Sequence, residues 1–396
     1  MSTLVVRNAA LVSAGAVCQG RTLLLRDGVI ADTDLRGEIP ADAAVLDAKG
    51  TFVMAGFVDL HVHGGGGADF MDATPEAFEC AVRSHLLHGT TLLYPTAMSA
   101  SEEDLAAFLR AYHAFSSTST LASRAPGVHL EGPYFSGAGQ KSSGAQPTNL
   151  LRLPDLGEVE RLLKIADGAI LRWDAAPELE GADAFAKTLT ARGILVSVAH
   201  TDATAPECAR GFENGFSHVT HFYNATSMHR KREQKVFAGV VEATYLDDSV
   251  TVEMIGDGCH IPAEDLRLAV KIKGAEAVSV ITDGTRLSGT DLTVGKLGSL
   301  ASGRDVIVDD GVAKLPDLSS FAGSIATMDR CLRVLCAYGF DLPTASVLLS
   351  LAPALRMGVA DRKGSVEVGK DADLVLVDSD LCVVGVIAGG VPVEGV

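Results

Sequence analysis

No stretch of this chain approaches the roughly 18 consecutive apolar residues of a membrane span, and its N-terminus has no sustained apolar core before a cleavage site. That points to a soluble, cytoplasmic protein with no membrane partner. The cysteines at 18, 80, 208, 259, 331, 336 and 382 are odd in number, widely spaced and without a C-x-x-C. Neither a disulfide framework nor a zinc ribbon fits them, and a reducing compartment does. Positive charge is scarce: 33 Lys and Arg stand against 50 Asp and Glu, a net −17, which argues against nucleic acid or an anionic membrane as the main partner. An anionic small molecule would need a local basic pocket. Aromatics are only 5% while glycines number 41, a composition of close-packed α/β enzymes rather than of disordered or fibrous chains. No internal repeat recurs at a fixed period.

What is present is room for one large α/β domain and a small one in 396 residues. Short strand-like runs, separated by turn residues, occupy the first 55 residues, and similar runs fill the last thirty or so. They predict one small antiparallel β-sandwich domain built from both termini, 1–55 plus 364–396, around a middle domain of 56–363. There, apolar runs at 57–63, 91–96, 127–132, 169–175, 194–200, 217–222, 250–256 and 277–283 alternate with amphipathic stretches such as Pro75–His88, Glu102–Phe115, Pro206–Asn214 and Pro262–Lys273. Eight β-then-α units imply a closed parallel (β/α)8 barrel of the TIM type. Residues 285–320 break the rhythm, and 306–312 read as a hairpin with an Asp-Gly turn.

Polar residues recur where the apolar runs stop. His61 and His63 end the first strand at a spacing that puts both imidazoles on one face, Glu131 ends the third, His200 the fifth and His221 the sixth; the seventh leads to His260, and Asp283 ends the eighth. Catalytic groups of such barrels sit at that rim. Four His and two carboxylates could hold one or two divalent ions, zinc or iron by donor type, with Glu131 able to bridge a pair. Asp283 is the best general base. His85, His88 and His113 fall on helical stretches and read as surface or packing residues. His218, an odd offset from His221, should point to the opposite face.

A second set concerns substrate. Asn224 and Ala225 follow the sixth strand directly, and His229-Arg-Lys-Arg232 with Lys235 is the densest positive cluster in the chain. That cluster is either a solvated face or a phosphate clamp in which a guanidinium makes bidentate contact. The Gly- and Ser-rich loop 137–146, with Lys141, follows Glu131 and suits a lid.

The segments AGFVDLHVHG 55–64, HLEGPYFS 129–136, GAQP 144–147, APE 176–178, VSVAHTDAT 196–204, THFYNA 220–225, DGCH 257–260 and VITDG 280–284 resemble, almost end to end, the amidohydrolase superfamily and within it the branch that deacetylates N-acetylhexosamine 6-phosphates. The resemblance implies hydrolysis of N-acetylglucosamine 6-phosphate to glucosamine 6-phosphate and acetate. The galacto epimer, or another metal amidohydrolase such as an N-acyl amino acid deacylase, is the alternative. By motif, Glu131, His200 and His221 form the principal metal site, His61 and His63 with Glu131 and Asp283 a second, and Asp283 the acid/base. His260 then lies by the acetyl carbonyl, Gln146 by the sugar, Asn224 and Ala225 by the phosphate. Arg232 matches the arginine that a neighbouring subunit presents to the phosphate, which implies a homodimer; a loop about one residue longer leaves Arg230 as the alternative. The chain departs from the branch in NAT for NAM and TDA for TDG. Cyclic-amide hydrolases of the superfamily often bridge two metals with a modified lysine, and no lysine stands at a strand end here. A non-catalytic scaffold would be expected to have lost ligands, and all are retained.

Overall fold

The computed structural model describes residues 3–13, 15–136 and 141–396. Eight strands form the barrel: β1 Phe57–Val62, β2 Thr90–Ala97, β3 Val128–Tyr134, β4 Ile170–Ala175, β5 Leu195–Val198, β6 Phe216–Val219, β7 Thr251–Ile255 and β8 Val278–Ile281. They lie side by side in chain order, every neighbouring pair parallel. Residues of β1, β2 and β3 are buried on both faces, as expected when helices cover the outside and side chains fill the inside. The ring closes just past the strands: Asp283 N donates to His61 O at 3.0 Å and His63 N to Gly284 O at 2.8 Å. That closure brings Asp283 beside the two N-terminal histidines.

The anticipated helices appear as Pro75–Leu87, Glu102–Thr118, Ala205–Glu213 and Ala263–Lys273, joined by Leu156–Ala166, Ala182–Thr190, Val240–Leu246 and Met328–Ala337. Local chemistry starts them. Thr74 caps Ala77 N ahead of Pro75, Ser101 caps a first turn holding Glu102, Glu103 and Asp104, and Thr204 with Glu207 forms a capping box.

Strands from both termini share one sheet around a core of their own that includes Leu4, Val6, Leu23, Leu25, Val53, Leu374 and Ile387. It is mostly antiparallel, and here the sequence expectation needs correcting in part: the long strand Thr3–Ser13 pairs parallel with both Ala44–Asp47 and Phe52–Ala55. Only Gly56 separates Phe52–Ala55 from β1. A Cβ there would fall 2.2 Å from Thr91 Oγ1, so the close approach requires glycine and ties β1 directly to the terminal sheet.

The irregular region after β8 contains an antiparallel three-stranded unit, Val294–Leu297, Arg304–Asp309 and Val312–Lys314. Asp310 and Gly311, both at positive φ, make the anticipated Asp-Gly turn. Arg304 Nη1 donates to Ala145 O at 3.1 Å. The insertion thereby braces the loop that carries Gln146.

Candidate metal centre and cleft at the barrel rim

Glu131, at the rim end of β3, is the hub of the site. Its Oε1 lies 2.9 Å from His200 Nε2 and 3.0 Å from His221 Nε2; its Oε2 lies 3.4 Å from His63 Nε2 and 3.7 Å from His61 Nε2. The Nε2 atoms of His200 and His221 are 3.1 Å apart, and those of His61 and His63 are 3.2 Å apart. Asp283 Oδ1 completes the ring at 3.2 Å from His63 Nε2 and 3.5 Å from His61 Nε2. Two donor groups result, Glu131–His200–His221 and His61–His63–Glu131.

The far sides of the imidazoles decide what the near sides can do. His200 Nδ1 faces Ser142 O at 2.8 Å and His221 Nδ1 faces Asn224 O at 3.1 Å. A carbonyl only accepts, so each Nδ1 carries a hydrogen, and the metal-binding form of each ring turns an Nε2 lone pair inward. Lone pairs then face one another and a carboxylate at about 3 Å, an arrangement that repels unless a cation sits among them. Donors placed 2.0–2.1 Å from a tetrahedral centre stand roughly 3.3 Å apart, so the spacing of these groups fits a divalent ion.

The electrostatics agree. Burial pushes the His61 and His63 pKa values down, yet the carboxylates of Glu131 and Asp283 outweigh it, lifting His63 to about 9 and His61 well above its ordinary value. Burial would raise Glu131, but His61, His200 and His221 hold it well below the usual carboxylate range, and Asp283 is lowered in the same way by His61 and His63. The site attracts positive charge. It is also strained: His200 (φ 44°), His221 (φ 29°) and Asp283 (φ 48°) occupy the left-handed region, where the chain turns sharply off the ends of β5, β6 and β8.

These groups open into a cleft whose walls include Met98, Ile255, Leu297 and Phe321 and whose lining also includes Gln146, Asn224, Ala225 and His260. Gln146 accepts from Ser99 N at 3.0 Å and donates to Glu131 Oε2 at 2.8 Å. His260 Nδ1 lies 2.8 Å from Asp257 Oδ2; burial raises that carboxyl's pKa, and His260 more than offsets it. Asn224 Nδ2 is buried with no partner among the described residues.

The arginine assignments concern a neighbouring subunit. Arg230 Nη1 is paired with Asp202 Oδ1 at 3.1 Å in the same chain, and neither Arg230 nor any other Lys or Arg lines the cleft among the described residues. The side chains of Arg232 and Lys141, and residues 137–140 of the anticipated lid, lie outside the described residues. His85 is a packing residue, its Nε2 2.8 Å from Gly64 O, with burial lowering its pKa to about 4.

Sequence reasoning missed a charged layer beneath the rim. Arg172 on β4 is fully buried. It binds Asp174 Oδ1 at 3.1 Å and grips Glu253 on β7 with both terminal nitrogens, and Glu253 Oε1 lies 2.9 Å from His61 Nδ1. His129 Nε2 stands 2.8 Å from Asp174 Oδ2 and His218 Nε2 3.4 Å from Glu253 Oε2. His218 therefore points into the barrel rather than away from it. Two signals were present, Arg172 and Asp174 alternating within an apolar strand, and His129 two residues before Glu131.

Residues 52–393 match the model of the amidohydrolase family. The chain belongs to that family. It is 31% identical to the N-acetylglucosamine-6-phosphate deacetylase of Bacillus subtilis over 98% of this chain and 96% of that one. It is 27% identical to an N-acetylgalactosamine-6-phosphate deacetylase of Escherichia coli O157:H7 over 96% of each. Among solved structures, a mutant N-acetyl-D-glucosamine-6-phosphate deacetylase of Mycobacterium smegmatis, in complex with N-acetyl-D-glucosamine-6-phosphate, superposes with a TM-score of 0.87 at 31% identity, covering 99% of both chains. Family membership accounts for the barrel.

Proposed function

We propose that this protein is a metal-dependent deacetylase that hydrolyses the acetamide of N-acetylglucosamine 6-phosphate to glucosamine 6-phosphate and acetate. The observation that carries the reading is the pair of donor groups sharing Glu131, with the Asp283 carboxylate against them at the floor of the cleft. Glu131, His200 and His221 would hold one divalent ion, zinc or iron by donor type, and His61 and His63 with Glu131 and Asp283 a second. When bound, such an ion supplies Lewis acidity toward the acetyl carbonyl and acidifies water.

The remaining work falls to the chain's own side chains. Asp283, held ionised, accepts a proton from the attacking water as the new C–O bond forms, then delivers it to the sugar nitrogen as the C–N bond breaks. His260, with Asp257 on its Nδ1, lines the cleft and would stabilise the carbonyl oxygen as negative charge develops there. Gln146, pinned by Ser99 and Glu131 at one wall, would meet a sugar hydroxyl, and Asn224 Nδ2, without a partner among the described residues, would with the Ala225 backbone receive the phosphate. Among the described residues no Lys or Arg lines the cleft, so on a chain of net charge −17 a phosphate dianion there would gain from a counter-charge offered by a second copy. The basic hairpin Arg230–Phe237 of a second copy, with Arg232 as the contact, would supply it, making the enzyme a homodimer. No helix among the described residues is long and apolar enough to cross a membrane, consistent with a cytoplasmic enzyme acting on a small sugar phosphate.

The test is acetate release from the gluco and galacto epimers, each with and without the 6-phosphate. The gluco 6-phosphate should be the better substrate, and removing the phosphate should lower kcat/KM by about 100-fold or more, since each charge-assisted hydrogen bond to it is worth about 1.5–3 kcal/mol. Equal rates with and without phosphate would refute the phosphate assignment. No acetate from either epimer would refute the function.

Metal stoichiometry tests the second donor group separately. Replacing His61 and His63 together by Gln should remove one equivalent of bound metal, read by elemental analysis after reloading. Unchanged stoichiometry would reduce the pair to a polar wall.

A further inference from the structure

Among the described residues, Glu253 is the carboxylate of the buried layer that meets the imidazole of a candidate metal ligand from behind. Its Oε1 takes His61 Nδ1 and Arg172 Nη2, both at 2.9 Å, and more distantly the main-chain N of His221 at 3.4 Å, and its Oε2 takes Arg172 Nη1; the imidazole of His221 is not touched by it. Arg172 is held in turn by Ser197 Oγ at 3.0 Å and Thr220 Oγ1 at 2.7 Å. A carboxylate gripped on both oxygens by a planar guanidinium that is itself fixed has no freedom to swing. The position of Oε1, and with it the plane of the His61 ring, is set.

The four rim imidazoles are not supported alike. His200 and His221 lean on main-chain carbonyls, those of Ser142 and Asn224. His63 Nδ1 is buried with no partner among the described residues. His61 alone is backed by a carboxylate. A neutral carbonyl fixes a tautomer; a carboxylate fixes it and also makes the opposite nitrogen a stronger donor. Within the His61–His63–Glu131 group, His61 is therefore the only ring held from behind, whereas both rings of the other group are.

We propose that Glu253 is a positioning residue for the second cation: acting through His61, it sets the affinity of the His61–His63–Glu131 site and leaves the Glu131–His200–His221 site largely alone. The proposal rests on the reading that these groups hold two cations. It does not depend on which amide is cleaved.

The experiment is zinc binding to the metal-stripped full-length protein against a competing chelator, for wild type, His61→Gln and Glu253→Gln. Wild type should bind two equivalents, and Glu253→Gln should weaken one of them by about 10- to 100-fold while the other keeps its affinity. Two equivalents at wild-type affinity in Glu253→Gln would overturn the proposal alone. A single equivalent in wild type, unaffected by His61→Gln, would overturn the two-cation reading and the proposal with it. Should Glu253→Gln fail to fold, wild type still gives an answer: in the zinc-loaded protein, nitrogen-15 NMR should show His61 with a slowly exchanging hydrogen on Nδ1. A His61 without that hydrogen would sink the idea.

Discussion

Asp283→Asn is expected to lower kcat by about 10³- to 10⁴-fold while the protein stays folded and loaded with metal. Both proton transfers of the proposed reaction pass through this carboxylate, and a positioned general acid–base contributes about 10²- to 10⁴-fold. An amide accepts a hydrogen bond but does not take up a proton at neutral pH, so the shape is preserved and the function removed. Asparagine is also the right probe on backbone grounds. Asp283 has a φ of 48°, and Asn is among the few residues besides glycine that adopt that conformation readily. Alanine there would mix strain with chemistry. The amide keeps an oxygen at the position of Oδ1, although the negative charge that helps attract a cation is gone. Elemental analysis should find the Glu131–His200–His221 metal retained, and the thermal melt should be near wild type. Turnover within a few-fold of wild type would remove Asp283 from the chemistry.

The rim was legible because its residues sit where local patterns end. His-x-His, His-Leu-Glu and the Thr-Asp-Gly after β8 each follow an apolar run, and the barrel topology then carries six such ends, with seven polar residues, to one face. The layer below was not read because its pairs join strands far apart in the chain: His61 and Glu253 are 192 positions apart, Arg172 and Glu253 81. Neither member announces the other. His218 was misjudged for a different reason. Counting alternate faces from His221 assumes one continuous strand, but β6 ends at Val219 and His221 lies past it at φ 29°, so the parity no longer applies. A basic cluster identifies charge without saying which partner each arginine already has, and here Arg230 meets Asp202 of its own chain.

Arg172→Met should destabilise the protein by about 3–5 kcal/mol, the cost of breaking a buried ion pair by removing one partner, or roughly 150- to 5,000-fold in the unfolding constant. The methionine fills much of the volume, so the loss is electrostatic rather than a cavity. Two carboxylates, Asp174 and Glu253, remain in the barrel interior, fully buried. Burial pushes both toward a raised pKa, and in the wild type Arg172 is the main influence holding them below the usual range. Their neighbours offer partial relief. Burial and Arg172 together lower the pKa of His129 to about 4, and burial aided by Arg172 lowers His218 to about 4 as well; without the guanidinium both imidazoles take up protons more readily beside Asp174 and Glu253. That places the cost toward the lower end of the range.

The pH dependence separates this account from a packing defect. In wild type the depressed carboxylates contribute stability that is present above their unfolded pKa, roughly 4, and is lost only as acid titrates them below it. In the variant they are raised in the folded state, so the folded protein binds more protons than the unfolded one and its stability falls as pH rises through neutrality. The gap between the two proteins should therefore be widest near pH 7 to 8 and narrow toward pH 5, read as urea midpoints at constant slope. A gap independent of pH over that window would mean that lost packing, and not two stranded carboxylates, is what the substitution costs.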